Sequence, residues 1–183
     1  MRKLIVTEWM SLDGIFDSAS MEQWFNPYHS DSRAKSIQDT INDCEIMLYG
    51  RKTYEMLFPY WSRFRNNEMG VAEKLNKVKK YLVSTTVKEG SWENTTVIRQ
   101  DVEKEITVLK KQSDGGNMLV QGSASLVKTL LMAGLVDEFK FLVHPHIVGT
   151  DGSFFKELSS GLELTNNQEL ENGVLRLCYK PKK

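Results

Sequence analysis

The chain has 183 residues, the size of one domain and enough to bury a core without disulfides or metals. Its 24 basic residues balance 24 acidic ones, which excludes the strong positive field that non-specific nucleic-acid binding needs. With 40% hydrophobic and 26% charged residues the composition is that of an ordinary globular protein. No apolar run reaches the ~18 residues of a membrane span, and the opening Met1-Arg2-Lys3 meets charge too early for a signal peptide. A cytoplasmic protein with no membrane partner is expected.

Residues 3–10 read as a strand of β-branched and aromatic types, followed by a turn at Ser11-Leu12-Asp13-Gly14. Residues 17–31 read as a long loop with room for a helical turn. Ile37, Ile41 and Cys44 recur at helical spacing and predict an amphipathic helix over 32–43. Glu45–Tyr49 is a buried strand, and a helix from Lys52 is expected to stop before Pro59. A short helix over 71–78 precedes strands at Tyr81–Ser84 and Thr95–Ile98. Asp101 is placed to cap a helix that ends at Gly115-Gly116. Met118–Val120 is a strand, with Ser123 as N-cap of the next helix and Gly134 at its C-terminal end. Residues 136–148 form a strand broken by Pro145, and Glu171-Asn172-Gly173 joins two final strands as a hairpin. Strands alternating with helices predict one α/β domain over 1–183, with a mainly parallel sheet and an antiparallel edge.

Two strand-to-helix junctions carry the functional signal. Gly50-Arg51-Lys52-Thr53 follows one strand and Gly122-Ser123-Ala124 follows another. Ligands of parallel sheets bind beyond the carboxyl ends of strands, and helix N-termini there present free N–H groups to anions. Arg51 adds a fork of donors that suits phosphate. Ser84 and Thr85 end a third strand with hydroxyls that either bond phosphate oxygens or cap a turn.

Other polar residues weigh less. Glu8, Asp13, Glu22 and Asp31 are candidates for acid–base work. Of these, Glu8 is out of place in a strand of apolar residues, where it could face solvent at one sheet surface, while Asp13 sits in a turn that reads as structural. His144 and His146 share a strand without a third ligand nearby, so no metal is expected. Cys44 and Cys178 lie among apolar residues and read as small buried hydrophobes.

Taken together, Met10-Ser11-Leu12-Asp13-Gly14, Gly50-Arg51-Lys52-Thr53-Tyr54-Glu55, Leu119–Leu126, Leu135–Phe139 and Pro145–Gly149 occur in a distinctive order and spacing. In these segments the chain resembles the dihydrofolate reductase superfamily. The branch it resembles is the C-terminal domain of the bifunctional riboflavin deaminase-reductase, with its stand-alone bacterial members. The resemblance implies a dihydrofolate reductase-like fold with an eight-stranded, mostly parallel sheet and flanking helices. It also implies NADPH as cofactor, a small heterocyclic substrate and a homodimer. By motif it assigns the cofactor to Gly50, Arg51, Thr53, Ser84, Thr85, Gly122, Ser123 and Ala124. Apart from the resemblance, the substrate is expected between the first-strand end, at Trp9 and Asp13, and the loop around Trp24 and Tyr28, aromatics that either stack on a flat heterocycle or are core or lid residues; Asp13 and Asp31 are candidate catalytic acids. Two departures stand out: Thr7 replaces the first-strand lysine, and neither Asp31 nor Asp39 falls in the register of the acid that serves folate reduction. A nucleotide-binding module without turnover is the alternative.

Overall fold

Short runs rich in β-branched and aromatic residues form strands. The computed structural model, which describes residues 1–112, 115–156 and 158–182, contains eight of them. They are β1 (Leu4–Ser11), β2 (Cys44–Gly50), β3 (Lys79–Val83), β4 (Thr95–Ile98), β5 (Asn117–Gln121), β6 (Glu138–His144), β7 (Leu162–Glu169) and β8 (Leu175–Pro181). One sheet holds all eight in the order β4-β3-β2-β5-β1-β6-β8-β7. Pairing is parallel from β4 across to β6, and β8 runs antiparallel to both β6 and β7.

Helices cover the two faces. They are α1 (Met21–Trp24), α2 (Asp31–Asn42), α3 (Arg51–Trp61), α4 (Ala72–Lys77), α5 (Val102–Lys111) and α6 (Ala124–Met132). Alternation along the strands divides the core. Leu4, Val6, Met10, Met118 and Val120 pack with Ile106 and Leu109 of α5 and Leu126, Val127 and Leu130 of α6. Ile5, Met47, Tyr49 and Leu119 pack on the other face with Ile41 of α2, Tyr54 of α3 and Leu75 of α4. Among the described residues, no helix is long and apolar enough to cross a membrane.

Local sequence signals account for several boundaries. Gly134 stands at φ +66, its N–H donates to Leu131 O, and Leu135 N–H reaches back to Leu130 O, which is a Schellman ending for α6. Asn172 and Gly173 both have positive φ, as a tight hairpin turn requires, and β7 and β8 pair around them.

Other boundaries differ from the sequence expectation. Helix α3 runs through Pro59 to Trp61, because a proline so near the end removes one intrahelical bond and leaves the first two turns intact. Asp101 occupies the N-cap position of α5 at φ 53, but its side chain makes no capping bond. That helix ends at Lys111, short of Gly115-Gly116, where Gln112 turns extended. Strand β6 starts at Glu138 and stops at His144, before Pro145 removes a ladder donor. By contrast, the loop over 17–31 holds helical turns in agreement with its sequence, α1 and a 3₁₀ turn at Asn26–Tyr28.

Candidate functional site

Adjacent strands β2 and β5 send their chains to opposite faces of the sheet. After β2 the chain enters α3 on one face, and after β5 it enters α6 on the other. Such a divergence opens a crevice at the carboxyl ends of the two strands. Both predicted glycine junctions lie there, so the N-termini of two helices meet at one point. The Ser123 hydroxyl accepts the Gly50 N–H at 2.9 Å, which stitches the junctions together. That hydroxyl also donates to Gln121 O at 3.3 Å. Ser123 is therefore not the expected side-chain N-cap of α6: it holds φ 63, and its hydroxyl is spent on the neighbouring junction.

Gly122 sits at φ +59, a conformation that suits glycine. A Cβ built on it would stand 3.2 Å from Thr53 Oγ1 and 3.8 Å from Glu8 Oε2. Glycine thus keeps open a small space onto which a hydroxyl from α3 and a carboxyl from β1 converge. Ala124 begins α6 just beyond it. Arg51, at the first turn of α3, is exposed and paired with Glu55 at 2.8 Å.

The strand-end hydroxyls have a local task. Ser84 Oγ accepts the N–H groups of Thr86 and Val87 at 3.2 and 3.1 Å, which is the turn-capping alternative. Thr85 is exposed, and its carbonyl accepts from Arg99 Nη2 at 3.3 Å. Arg99 is a second cation beside this strand end that sequence reading passed over, because a lone arginine after a short strand carries no motif.

Glu8 does not face solvent. It is 7% exposed, on the face of β1 that packs toward α5 and α6. The β1–β5 ladder ends at Thr7 and Gln121, and Glu8 Oε1 accepts the Trp9 N–H just beyond it at 3.1 Å. Oε2 is buried with no partner among the described residues. Burial pushes the carboxyl from 4.5 up to about 8, against the pull of the Trp9 N–H. The group is therefore mostly protonated at neutral pH.

Asp13 and Asp31 take other roles. Burial opposes the Asp13 charge, but the Ser11 hydroxyl and the N–H groups of Gly149 and Val148 outweigh it and hold the carboxyl at about 2. Asp13 is an ionised clamp on the 145–149 loop. Asp31 is exposed in the first turn of α2, whose N-cap is Ser30. Asp39 is exposed and paired with Lys35.

A second cleft lies between α2 and the opposite face of the sheet. Thr7, Trp9, Ser36, Thr40, Lys140 and Arg176 line it. Lys140 stands across from Thr7 in the β1–β6 register, so a neighbouring strand supplies a lysine here. Arg176 Nε is buried without a partner among the described residues. Trp9 stacks on Phe25 with centroids 5.0 Å apart. Trp24 is 1% exposed, packs against His144 and donates to Ser20 Oγ, so it is a core residue and offers no free face. Tyr28 donates to Pro145 O at 3.0 Å near the same cluster.

His144 is buried beside Arg33 and held neutral, its pKa pushed down to about 4 by burial. Its Nδ1 contacts Met10 O at 3.0 Å and its Nε2 contacts Arg33 Nη1 at 3.3 Å, so both ring nitrogens are engaged within the protein.

The fold defines a class: an eight-stranded dihydrofolate reductase-like protein with a mostly parallel sheet and an antiparallel C-terminal hairpin. Dihydrofolate reductase from Enterococcus faecalis, complexed with NADP(H) and RAB-propyl, superposes with a TM-score of 0.66 at 14% identity, covering 99% of this chain and 97% of that one. A pyrimidine reductase-like protein from Corynebacterium diphtheriae gives 0.65 at 13% identity, covering all of this chain and 92% of that one. In sequence the chain is similar to YyaP, an uncharacterized protein of Bacillus subtilis (strain 168). The two are 27% identical over 187 residues, spanning 97% of this chain and 94% of YyaP. The profile of the RibD C-terminal domain matches residues 2–175, and the chain belongs to that family.

Proposed function

We propose that the protein is an NADPH-dependent reductase of a small heterocycle, pyrimidine- or pterin-like, acting on a C=N or C=O bond. The observation that carries this reading is the paired junction, in which Gly50 and Ser123 join two helix N-termini over a space kept open at Gly122. Two partly positive N-termini beside an open backbone suit a ligand with more than one phosphate. Gly50, Arg51, Thr53, Gly122, Ser123 and Ala124 would hold the nucleotide. Ser84, Thr85 and Arg99 lie beside the next strand end, where a further phosphate finds donors. The cofactor supplies the hydride, while the chain binds, orients and excludes water. Family membership agrees, as does the NADP(H) carried by the Enterococcus neighbour.

The substrate would lie against Trp9 at the mouth of the cleft under α2, because the cleft itself leaves only about 10 Å³, room for about one water. Trp9 offers a flat apolar surface there, and Lys140 and Arg176 favour an anionic group. One observation favours the alternative of a nucleotide-binding module without turnover: α2 lines this cleft with Ser36, Ile37, Thr40 and Ile41, and none of them is an acid. Thermal-shift titration with NADPH and NADH, on wild type and Arg51→Ala, tests the cofactor. Saturation to 100 Kd stabilises by ~2.7 kcal/mol. NADPH should raise the melting point more than NADH, and Arg51→Ala should narrow the difference. No shift with either nucleotide would sink the reading. NADPH oxidation with a pyrimidine, pterin and carbonyl panel then separates reductase from silent binder.

A further inference from the structure

Among the described residues, Glu8 is the one buried carboxyl whose unpaired oxygen lies beside the Gly122 junction. Oε1 is fixed by the Trp9 N–H, which sets the plane of the carboxyl. Oε2 is left without a partner among the described residues, on the side facing the space beside Gly122 and Thr53. An unpaired buried polar atom is unfavourable, and a folded chain retains one where something else completes it. The surroundings are uncharged. Val6 and Met10 flank Glu8 on its own strand, Phe141 is its partner on β6, Thr53 comes from α3 and Gly122 from the β5–α6 turn. Burial and the Trp9 N–H set the charge preference of the carboxyl, with no charged side chain among the causes.

We propose that Glu8 is a nucleotide-positioning residue that acts as a neutral acid, donating a hydrogen bond from its free oxygen to an acceptor oxygen of the ligand seated over Gly122. An ionised carboxylate at this point would repel a phosphate or carbonyl oxygen, so the donor has to carry its proton. The inference rests on the nucleotide reading above and adds a proton to it. Binding and protonation are then linked: a ligand that accepts this bond holds the proton more tightly than the free protein does. Because burial sets the free carboxyl near 8, binding at pH 8 takes up about half a proton per site, rising toward one at higher pH. Affinity falls with rising pH, approaching about tenfold per unit above 8 until the bound form itself titrates.

Calorimetric titration with NADPH across pH 6–9.5, in buffers of different ionisation enthalpy, counts the protons. Wild type is expected to show uptake that appears above pH 7. Glu8→Gln keeps the shape and a donor, so it should bind with no uptake and a flat pH profile. The ¹³C shift of the Glu8 carboxyl in labelled wild type provides the same titration without a variant, and its midpoint should rise on binding. Repeating the titration with 2′-phospho-ADP-ribose locates the acceptor: uptake that persists puts it on the phosphates, and uptake that vanishes puts it on the nicotinamide half. Binding without uptake and without a carboxyl shift overturns the inference and leaves the nucleotide reading standing. Failure of wild type to bind NADPH at any pH overturns both.

Discussion

Replacing Gly122 with alanine tests the site, and the same change at Gly134 is its control. Both glycines have positive φ, +59 and +66, so each alanine enters the left-handed region at roughly 1–2 kcal/mol. At Gly134 nothing lies within 4 Å of the new methyl, so the backbone term is the whole effect. At Gly122 the methyl stands 3.2 Å from Thr53 Oγ1 and 3.3 Å from Thr53 Cγ2, so Thr53 has to give as well. In a chain of this size each kcal/mol lowers Tm by roughly 2–4 °C. Gly134→Ala should therefore lose about 2–8 °C and bind NADPH like wild type. Gly122→Ala should lose at least as much and also bind NADPH more than about tenfold weaker, which is a loss beyond 1.4 kcal/mol. Differential scanning calorimetry and nucleotide titration measure the two effects separately. Wild-type affinity in Gly122→Ala would refute the claim that the ligand uses this space. An unchanged Tm in Gly134→Ala would refute the backbone argument.

Three further outcomes follow from the titrating groups and the fold. The folded pKa of Glu8 is raised from 4.5 to about 8, so the folded state binds more protons than the unfolded state between those values. Stability from this group is complete below 4.5 and is lost as pH rises toward 8, and urea unfolding at pH 7 should find Glu8→Gln more stable than wild type by about 3 kcal/mol. A wild type that matches the variant at every pH would contradict a buried neutral acid. His144 works in the opposite direction. Its folded pKa of about 4 lies below the usual 6.5, so its contribution is complete above 6.5 and fades as pH falls toward 4, which pH-dependent unfolding of a His144→Phe variant should no longer show. Asp13→Asn should speed hydrogen exchange at Val148 and Gly149, whose N–H groups its carboxylate holds, while leaving the β1 amides Leu4–Val6 protected. Equal protection at 148 and 149 would remove the clamp role.

The central sheet was legible because its strands are short apolar runs separated by turn chemistry, and the polar β7 because Asn172-Gly173 marks its hairpin with β8; those signals are local. Gly134 and Asn172-Gly173 read correctly for the same reason: positive φ is a demand that a single residue type answers. Local rules misjudged Pro59, because its effect depends on how close it stands to the helix end. At Asp101 and Ser123 the residue type suited a cap, but the left-handed backbone at each was not visible in the sequence.

The site divides along the same line. The amino-acid sequence alone determined that two glycine junctions follow buried strands, and that the family pattern assigns a dinucleotide to them. Only the tertiary structure decided that the junctions touch, through Ser123 and Gly50, which lie 73 positions apart. It also decided for Trp24 as a core residue, placed Lys140 across from Thr7, and put Glu8, whose side of the strand the sequence left open, into the interior as a buried acid. The physical reason is the strand period. Alternation tells which residues share a face, but not what covers that face, and Glu8 lies on the packed face of β1, beside Phe141 and the Gly122 turn, out of water.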